Sequence, residues 1–355
     1  RKSIFNNDPC LVYGNYGSYS GTYSRKNTFK RMEKMKKYIL LSILIAVITA
    51  AVPALTLFAL NTDAPAEEKP ISENGISGDS ISVYFPEEDK TEELSFREYI
   101  IGVVAAEMPA EFHPEALSAL TCAAATLARK NMEAGSDESL GGAVISADHK
   151  KHQAFMTKDE MKEKWGGSFD SYYEKLCNAV DKAIDYSLTF DGELIIAAYH
   201  SMSAGMTESS ENVWAKGLPY LTSVESPGDL ICPRSESELT VDFDEFKTAL
   251  EKEGVKLPDK KELWLSAGEY TEAGYLKEIK IGGKAFSGQE LRDIFSLRSA
   301  AIKAGINSSG VVFYVKGYGH GVGLSQYGAD YLARLGYSWE EILRHYYKGV
   351  EIEII

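Results

Sequence analysis

Cysteine is scarce in this chain. Four occur among 355 residues, at Cys10, Cys122, Cys177 and Cys232. None forms a Cys-x-x-Cys pair, and three follow the long apolar run, so neither a disulfide framework nor a zinc ribbon is indicated. Cys122 lies in an apolar stretch of helical spacing and reads as a small buried residue. There is no His-Glu-x-x-His and no Gly-x-Ser-x-Gly, which removes the helix-borne zinc hydrolases and the nucleophile-elbow hydrolases. His149 and His152 have a ligand-like spacing, but two lysines separate them and no third ligand is evident. Basic charge is scarce over most of the chain. Residues 1–37 hold nine Lys/Arg against two Asp/Glu, whereas residues 61–355 hold 29 against 50. Such an acidic stretch is a poor partner for nucleic acid or other polyanions and favours a neutral or cationic substrate.

One long apolar run is present. Ile39 to Leu60 are 22 consecutive uncharged, mostly apolar residues. At 1.5 Å per residue they span roughly 33 Å of helix, enough to cross a bilayer. Arg31, Lys34, Lys36 and Lys37 precede the run, and Asp63, Glu67 and Glu68 follow it. The positive-inside rule therefore puts the N-terminus in the cytoplasm and the rest outside, on an uncleaved anchor. Residues 1–37 lack hydrophobic periodicity and read as disordered, or as untranslated upstream sequence with Met32 and Met35 as candidate starts. Residues 38–60 are the expected anchor, 61–80 a Pro-, Glu-, Gly- and Ser-rich linker, and 81–355 the outer domain.

In that domain, Ile81–Phe85 alternates like a strand. Ser95 with Glu98 three residues on predicts a helix start of the capping-box kind. Apolar residues run from Ile100 through Ala106, and Pro109 stops the helix. Glu107 thus falls in the last turn of an almost wholly apolar helix. Burial and the partly negative helix end both push a carboxyl there towards the protonated form, which a general acid requires. Pro114 opens a second, Ala-rich helix. Asp159 to Tyr186 reads as a helix broken at Gly166-Gly167, and 233–275 as a charged, helical, peripheral insertion.

Asp191-Gly192 and Gly282-Gly283 predict two tight hairpins. The first delivers the polar run Tyr199-His200-Ser201-Met202-Ser203-Ala204-Gly205. Ser201 or Ser203 beside His200 admits a serine-hydrolase reading, although no partner Asp is identifiable. A strand at Val311–Val315 feeds Gly317-Tyr318-Gly319-His320-Gly321-Val322-Gly323-Leu324-Ser325-Gln326-Tyr327-Gly328. The third glycine of a dinucleotide fingerprint is missing there, since its place falls on Val322 or Leu324. Alternate glycines fit a backbone that turns tightly or that something approaches closely. A helix from about Ser325 to Leu335 and a last helix with Tyr346-Tyr347 follow.

These segments carry a resemblance. Glu98-Tyr99 through Glu107-Met108-Pro109, Pro114-Glu115-Ala116-Leu117, the Tyr199–Ser209 run, Leu297-Arg298-Ser299 and above all Gly317–Ala329 resemble, in order, the stage II sporulation protein D family. The resemblance spans residues 81–355 and implies an α+β, two-lobed extracytoplasmic domain with a substrate groove, on a single N-terminal transmembrane helix. It implies a lytic transglycosylase that cuts peptidoglycan glycan strands between N-acetylmuramic acid and N-acetylglucosamine during spore engulfment. The family's catalytic glutamate falls on Glu107. One carboxyl suffices there: it protonates the glycosidic oxygen, then takes the proton of the sugar's own C6 hydroxyl as a 1,6-anhydro ring closes, unlike a two-carboxylate glycosidase. Tyr318 and Tyr327 are the expected stacking faces, and His200, Ser201, Ser203, His320 and Gln326 the expected hydrogen-bonding groups for sugar. The implied partners are glycan strands, the membrane, a cell-wall amidase and a membrane partner of the engulfment machinery, and no nucleic acid.

Three departures from the family pattern stand out. Gln and Arg, common in the helix after the glutamate, are replaced by Leu120 and Ala125. The family's zinc-binding His and cysteines reduce to His152, with Ser146 where a cysteine falls, so no metal or other cofactor is expected. Ala204 precedes Gly205 where a second glycine is usual. A related amidase enhancer supplies the alternative: a non-catalytic peptidoglycan-binding module that stimulates a cell-wall amidase.

Overall fold

The structure, a computed structural model, describes residues 80–148 and 150–355. The expected N-terminal segment, the membrane span, all of the expected linker but Ser80, and His149 lie outside the described residues. No helix among the described residues is long and apolar enough to cross a membrane.

Ser80–Phe85 (β1) and Lys90–Ser95 (β2) pair antiparallel. Ser95 then caps Phe96–Glu107 (α1) in the expected capping box, its hydroxyl taking the Glu98 N–H while Glu98 reaches back to the Ser95 N–H. Helix α1 is apolar on nearly every side, and a helix of that kind is stable only when surrounded. Eight of its twelve residues are buried. Each fully buried aliphatic or aromatic side chain contributes about 1.5–3 kcal/mol of transfer free energy before entropy is counted. His113 caps Pro114–Ala134 (α2), its Nδ1 accepting the Glu115 N–H. The small alanines of α2 let neighbours approach closely.

The chain continues through Ile145–Ser146 (β3), which runs parallel to β1. Lys158–Trp165 (α3) and Phe169–Ala183 (α4) follow, with a 3-10 turn at Gly166–Ser168, so the expected break is where the glycines are. Tyr186–Phe190 (β4) and Glu193–Leu194 (β5) form the Asp191-Gly192 hairpin, both turn residues at positive φ. Tyr199–His200 (β6) comes next. Glu236–Asp242 (β7), Phe243–Lys252 (α5), Glu269–Tyr270 (β8), Leu276–Ile281 (β9), Lys284–Phe286 (β10), Gly288–Phe295 (α6), Ala301–Ile306 (β11) and Gly310–Lys316 (β12) build a second group. Leu324–Ser325 (β13), Gln326–Arg334 (α7), Trp339–Tyr346 (α8) and Glu351–Ile354 (β14) return to the first.

The strands make small sheets, β2–β1–β3, β14–β4–β5, β10–β9–β8, β11–β12–β7 and the parallel pair β13–β6. With the helices they form an α+β fold, as expected. Helix α2 is the hub: α1, α4, α7, α8 and β4 all pack on it. The main apolar cluster gathers around it. A second cluster takes Phe246 and Leu250 of α5, Trp264, Leu291 of α6 and the inner faces of β9, β11 and β12. This corrects the expectation for 233–275. The segment is charged and partly helical, but it is no peripheral insertion, because β7, Phe246, Leu250 and Trp264 build the second core. Charged residues outnumber the apolar ones, and Leu239, Leu263 and Tyr270 are exposed, yet Val241, Phe246, Leu250, Val255, Leu257 and Trp264 point inward.

Candidate functional site

Glu107 is the last residue of α1, half-buried, where the apolar helix reaches the surface. Two neutral donors are among the groups that hold its carboxylate. Oε1 accepts the Ala154 N–H at 3.1 Å, and Oε2 accepts from Gln326 Nε2 at 3.1 Å. Gln326 opens α7 and is buried, so two elements 219 residues apart in sequence converge on one carboxylate.

The Ala154 amide is positioned by its neighbours. Met156 N–H donates to Gly102 O of α1 at 3.1 Å. The Phe155 ring lies directly over Gly102, where a Cβ would strike it. This explains a glycine in the middle of a buried helix, where it costs about 1 kcal/mol relative to alanine. Phe155 also stacks on Tyr99 at 5.9 Å and meets Phe85 edge-on at 5.5 Å. Gln153, one residue before the amide, takes the Tyr99 hydroxyl on Oε1 at 3.1 Å and donates from Nε2 to the Tyr199 hydroxyl at 2.8 Å. Burial first, then the nearby Glu107 charge, raises the pKa of both Tyr99 and Tyr199, so both phenols stay protonated. Neutral donors and protonated phenols are thus among the neighbours of Glu107.

The glycine-rich run folds as its alternation implies. Gly317, Gly319, Gly321 and Gly323 all have positive φ, between 75° and 107°. What approaches them closely is the chain itself. A Cβ would meet the Met202 carbonyl at Gly317, the His200 Cβ at Gly319 and the Ala198 carbonyl at Gly323. The run is pressed against residues 198–203, and β13 pairs with β6 through Leu324↔Tyr199 and Ser325↔His200. This packing delivers Gln326 to Glu107.

Both motif histidines are held by this same contact. His320 Nδ1 accepts the Val322 N–H at 3.1 Å, so its proton is on Nε2, which donates to the Tyr199 carbonyl at 3.0 Å. His200 Nδ1 lies 3.1 Å from the Val322 carbonyl and must carry the proton to donate to it. Nε2 of His200 is then a buried lone pair without a hydrogen-bond partner among the described residues. Burial lowers both pKa values, with the opposing histidine adding to the effect at His200 and Arg292 at His320; His200 falls to about 3 and His320 to about 4. Both rings are neutral at physiological pH, and they lie 5.6 Å apart.

The structure places the other expected site residues as follows. Ser203 is buried, and its hydroxyl donates to Asp229 Oδ2 at 2.6 Å. Asp229 also takes the Ser203 N–H at 2.8 Å and, on Oδ1, the Ser325 hydroxyl at 2.7 Å. It is fully buried, and burial raises its pKa against these hydrogen bonds. This serine therefore ties the His-Ser segment to the start of α7, and it is bonded to a carboxylate rather than to a histidine, which does not match a serine-hydrolase relay. Ser201 is half-buried, and its carbonyl accepts the Tyr327 N–H at 3.1 Å. Tyr327 is half-buried, one residue beyond Gln326, and meets Phe112 edge-on at 4.9 Å. Tyr318 is exposed, with the Arg298 guanidinium 4.7 Å from its ring centre. Gln326 thus reaches Glu107 directly, while His320 acts one step away through the backbone of Tyr199.

Leu120 and Ala125 are both fully buried in the main cluster. The described residues around His152 do not assemble a zinc site. Ser146 gives its N–H to His152 Nδ1 at 3.3 Å, and no three His, Cys, Asp or Glu side chains gather as a metal site among the described residues. Sequence reasoning missed Tyr99, Gln153 and Asp229. Tyr99 carried a signal, since it lies in the Glu98–Pro109 stretch, and Gln153 directly follows His152.

Comparisons with known proteins bear on this geometry. The sequence profile of the Stage II sporulation protein family (SpoIID) matches residues 85–190, the segment from β1 through β4 that includes Glu107. Stage II sporulation protein D of Bacillus amyloliquefaciens is 36% identical over 273 residues, covering 77% of this chain and 78% of that protein. The protein of the same name from Bacillus subtilis (strain 168) is 35% identical over 273 residues, with the same coverage. The amidase enhancer of Bacillus subtilis (strain 168) is 29% identical over 303 residues, covering 71% of this chain and 40% of that protein. The chain belongs to the stage II sporulation protein D family.

Proposed function

We propose that this protein is a lytic transglycosylase that cleaves peptidoglycan glycan strands between N-acetylmuramic acid and N-acetylglucosamine, leaving 1,6-anhydro ends, during spore engulfment. The observation that carries the reading is the carboxyl of Glu107, gripped by the Ala154 N–H and Gln326 at the mouth of an apolar helix. In the first step Glu107 gives its proton to the glycosidic oxygen as positive charge develops at the sugar's anomeric carbon. In the second, the carboxylate accepts the C6 hydroxyl proton as O6 closes onto that carbon. The Ala154 and Gln326 donors stabilise the carboxylate between the two steps and fix which lone pairs face the sugar. Tyr327, next to Gln326, is a stacking face for the strand, and His320 holds the Tyr199 backbone that carries one phenol of the wall. The two apolar clusters support a two-lobed domain with a groove. The apolar span and its flanking charges support anchoring in the cell membrane with residues 81–355 outside.

Incubation with peptide-free glycan strands, read by mass spectrometry, tests the reading. Anhydro-ended fragments are expected. Fragments with ordinary reducing ends would mean hydrolysis and a different mechanism. A second reading has its own support in the amidase-enhancer relative and in the apolar Leu120 and Ala125: the domain binds strands and stimulates a cell-wall amidase without cutting. Strand binding without any cleavage would favour it.

A further inference from the structure

We propose that the outer face of the β11–β12–β7 sheet carries a second glycan subsite, separate from Glu107, that grips a carboxylated pyranose of the strand. The inference rests on the glycan reading above.

The strand pattern creates the face. Along β12, Val311, Phe313 and Val315 are buried in the second cluster, while Tyr314 and Lys316 are exposed on the other side. The pairing places Lys303 of β11 and Glu238 of β7 on either side of Tyr314. It places Ala301 and Glu236 on either side of Lys316. Ala301 and the neighbouring Gly274 are small, and the space they leave is a cavity of about 330 Å³ with Tyr314, Lys303 and Glu238 in its wall. That is within the size range of small-ligand sites.

The chemistry of the wall selects the ligand. Tyr314 leaves 51% of its surface to water in the middle of a sheet face. A pyranose presents an apolar C–H face ringed by hydroxyls. A flat ring with a carboxylate on one side and an ammonium on the other matches both features. Lys316 is already paired with Glu236 at 3.1 Å. Lys303 makes no ion pair among the described residues. N-acetylmuramic acid carries a lactyl carboxylate. In a chain whose residues 61–355 hold 50 acidic against 29 basic side chains, that carboxylate is repelled at long range and needs a local cation. Lys303 supplies it. The β12 strand ends at Lys316 and the chain passes directly into the glycine-rich run that leads to Gln326.

The test uses the full chain carrying Glu107→Gln, so that strands bind without being cut. Peptide-free glycan strands and chitooligosaccharides of matched length, which lack the lactyl group, are titrated by calorimetry. Tyr314→Ala is expected to weaken both ligands by about tenfold, equivalent to about 1.4 kcal/mol, and Tyr314→Phe to restore binding. Lys303→Met is expected to weaken the peptidoglycan strands by a similar factor and leave the chitooligosaccharides unchanged. Unchanged strand binding in both Tyr314→Ala and Lys303→Met would overturn the subsite and leave the glycan reading standing. So would a Tyr314→Phe variant as weak as Tyr314→Ala. A parent protein that binds no strand at all would overturn both.

Discussion

The neutral, buried His200 makes a quantitative demand on stability. Its Nδ1–H is committed to the Val322 carbonyl, and its Nε2 has no partner among the described residues to share a second proton. Protonation would leave a charge in a buried site, so burial holds the folded-state pKa at about 3, against about 6.5 for an exposed histidine. The folded pKa lies below the unfolded one. Stability is therefore full above about pH 6.5 and falls as pH drops towards 3, because the unfolded chain takes up the proton first. Between pH 7.5 and 5.0 the linkage amounts to about 2 kcal/mol from this residue alone. Carboxylates titrate in the same window, so the comparison must be between variants. In His200→Asn the carboxamide can still donate to Val322 but has no titration. Urea denaturation at the two pH values should show the parent losing about 2 kcal/mol more than the variant. An equal loss in both would refute the argument and mean that His200 finds an acceptor or water on protonation.

Other perturbations follow from the same contacts. Gly102→Ala normally favours a helix by about 1 kcal/mol, but here the new Cβ strikes the Phe155 ring, and overpacking costs about 1–3 kcal/mol. A net destabilisation on urea denaturation is expected, with slower strand cleavage as the Ala154 amide shifts from Glu107. Ser203→Ala deprives the buried Asp229 of one charge-assisted hydrogen bond and should cost about 1.5–3 kcal/mol in thermal unfolding, while a serine-reactive phosphonate leaves the parent unlabelled at this position. Gln326→Ala removes a side-chain donor to Glu107 and should lower kcat by at least about tenfold with little change in strand affinity, read by product release under saturating strands.

The features legible in the sequence were local ones. The Ser95–Glu98 capping box, the Asp191-Gly192 and Gly282-Gly283 turns, and the Gly166-Gly167 break each depend on residues within a few positions of one another. The glycine alternation at 317–323 was legible as a close approach, although the approaching partner, residues 198–203, was not. The site needed long-range pairings that no local pattern encodes. Gln153 joins Tyr99 to Tyr199, and Asp229 joins Ser203 to Ser325. A buried carboxylate such as Asp229 looks like any surface aspartate until its donors are known. The misreading of 233–275 has the same origin, since a high charge count hides the few inward side chains that make a core.

The central claim is that Glu107 is the acid and the base of strand cleavage. Peptide-free glycan strands incubated with the parent and with Glu107→Gln, matched for strand binding, test it most directly. With Glu107 in both roles, 1,6-anhydro ends are expected from the parent and none above background from the variant, with binding intact. Anhydro ends released at comparable rates by both proteins would contradict it.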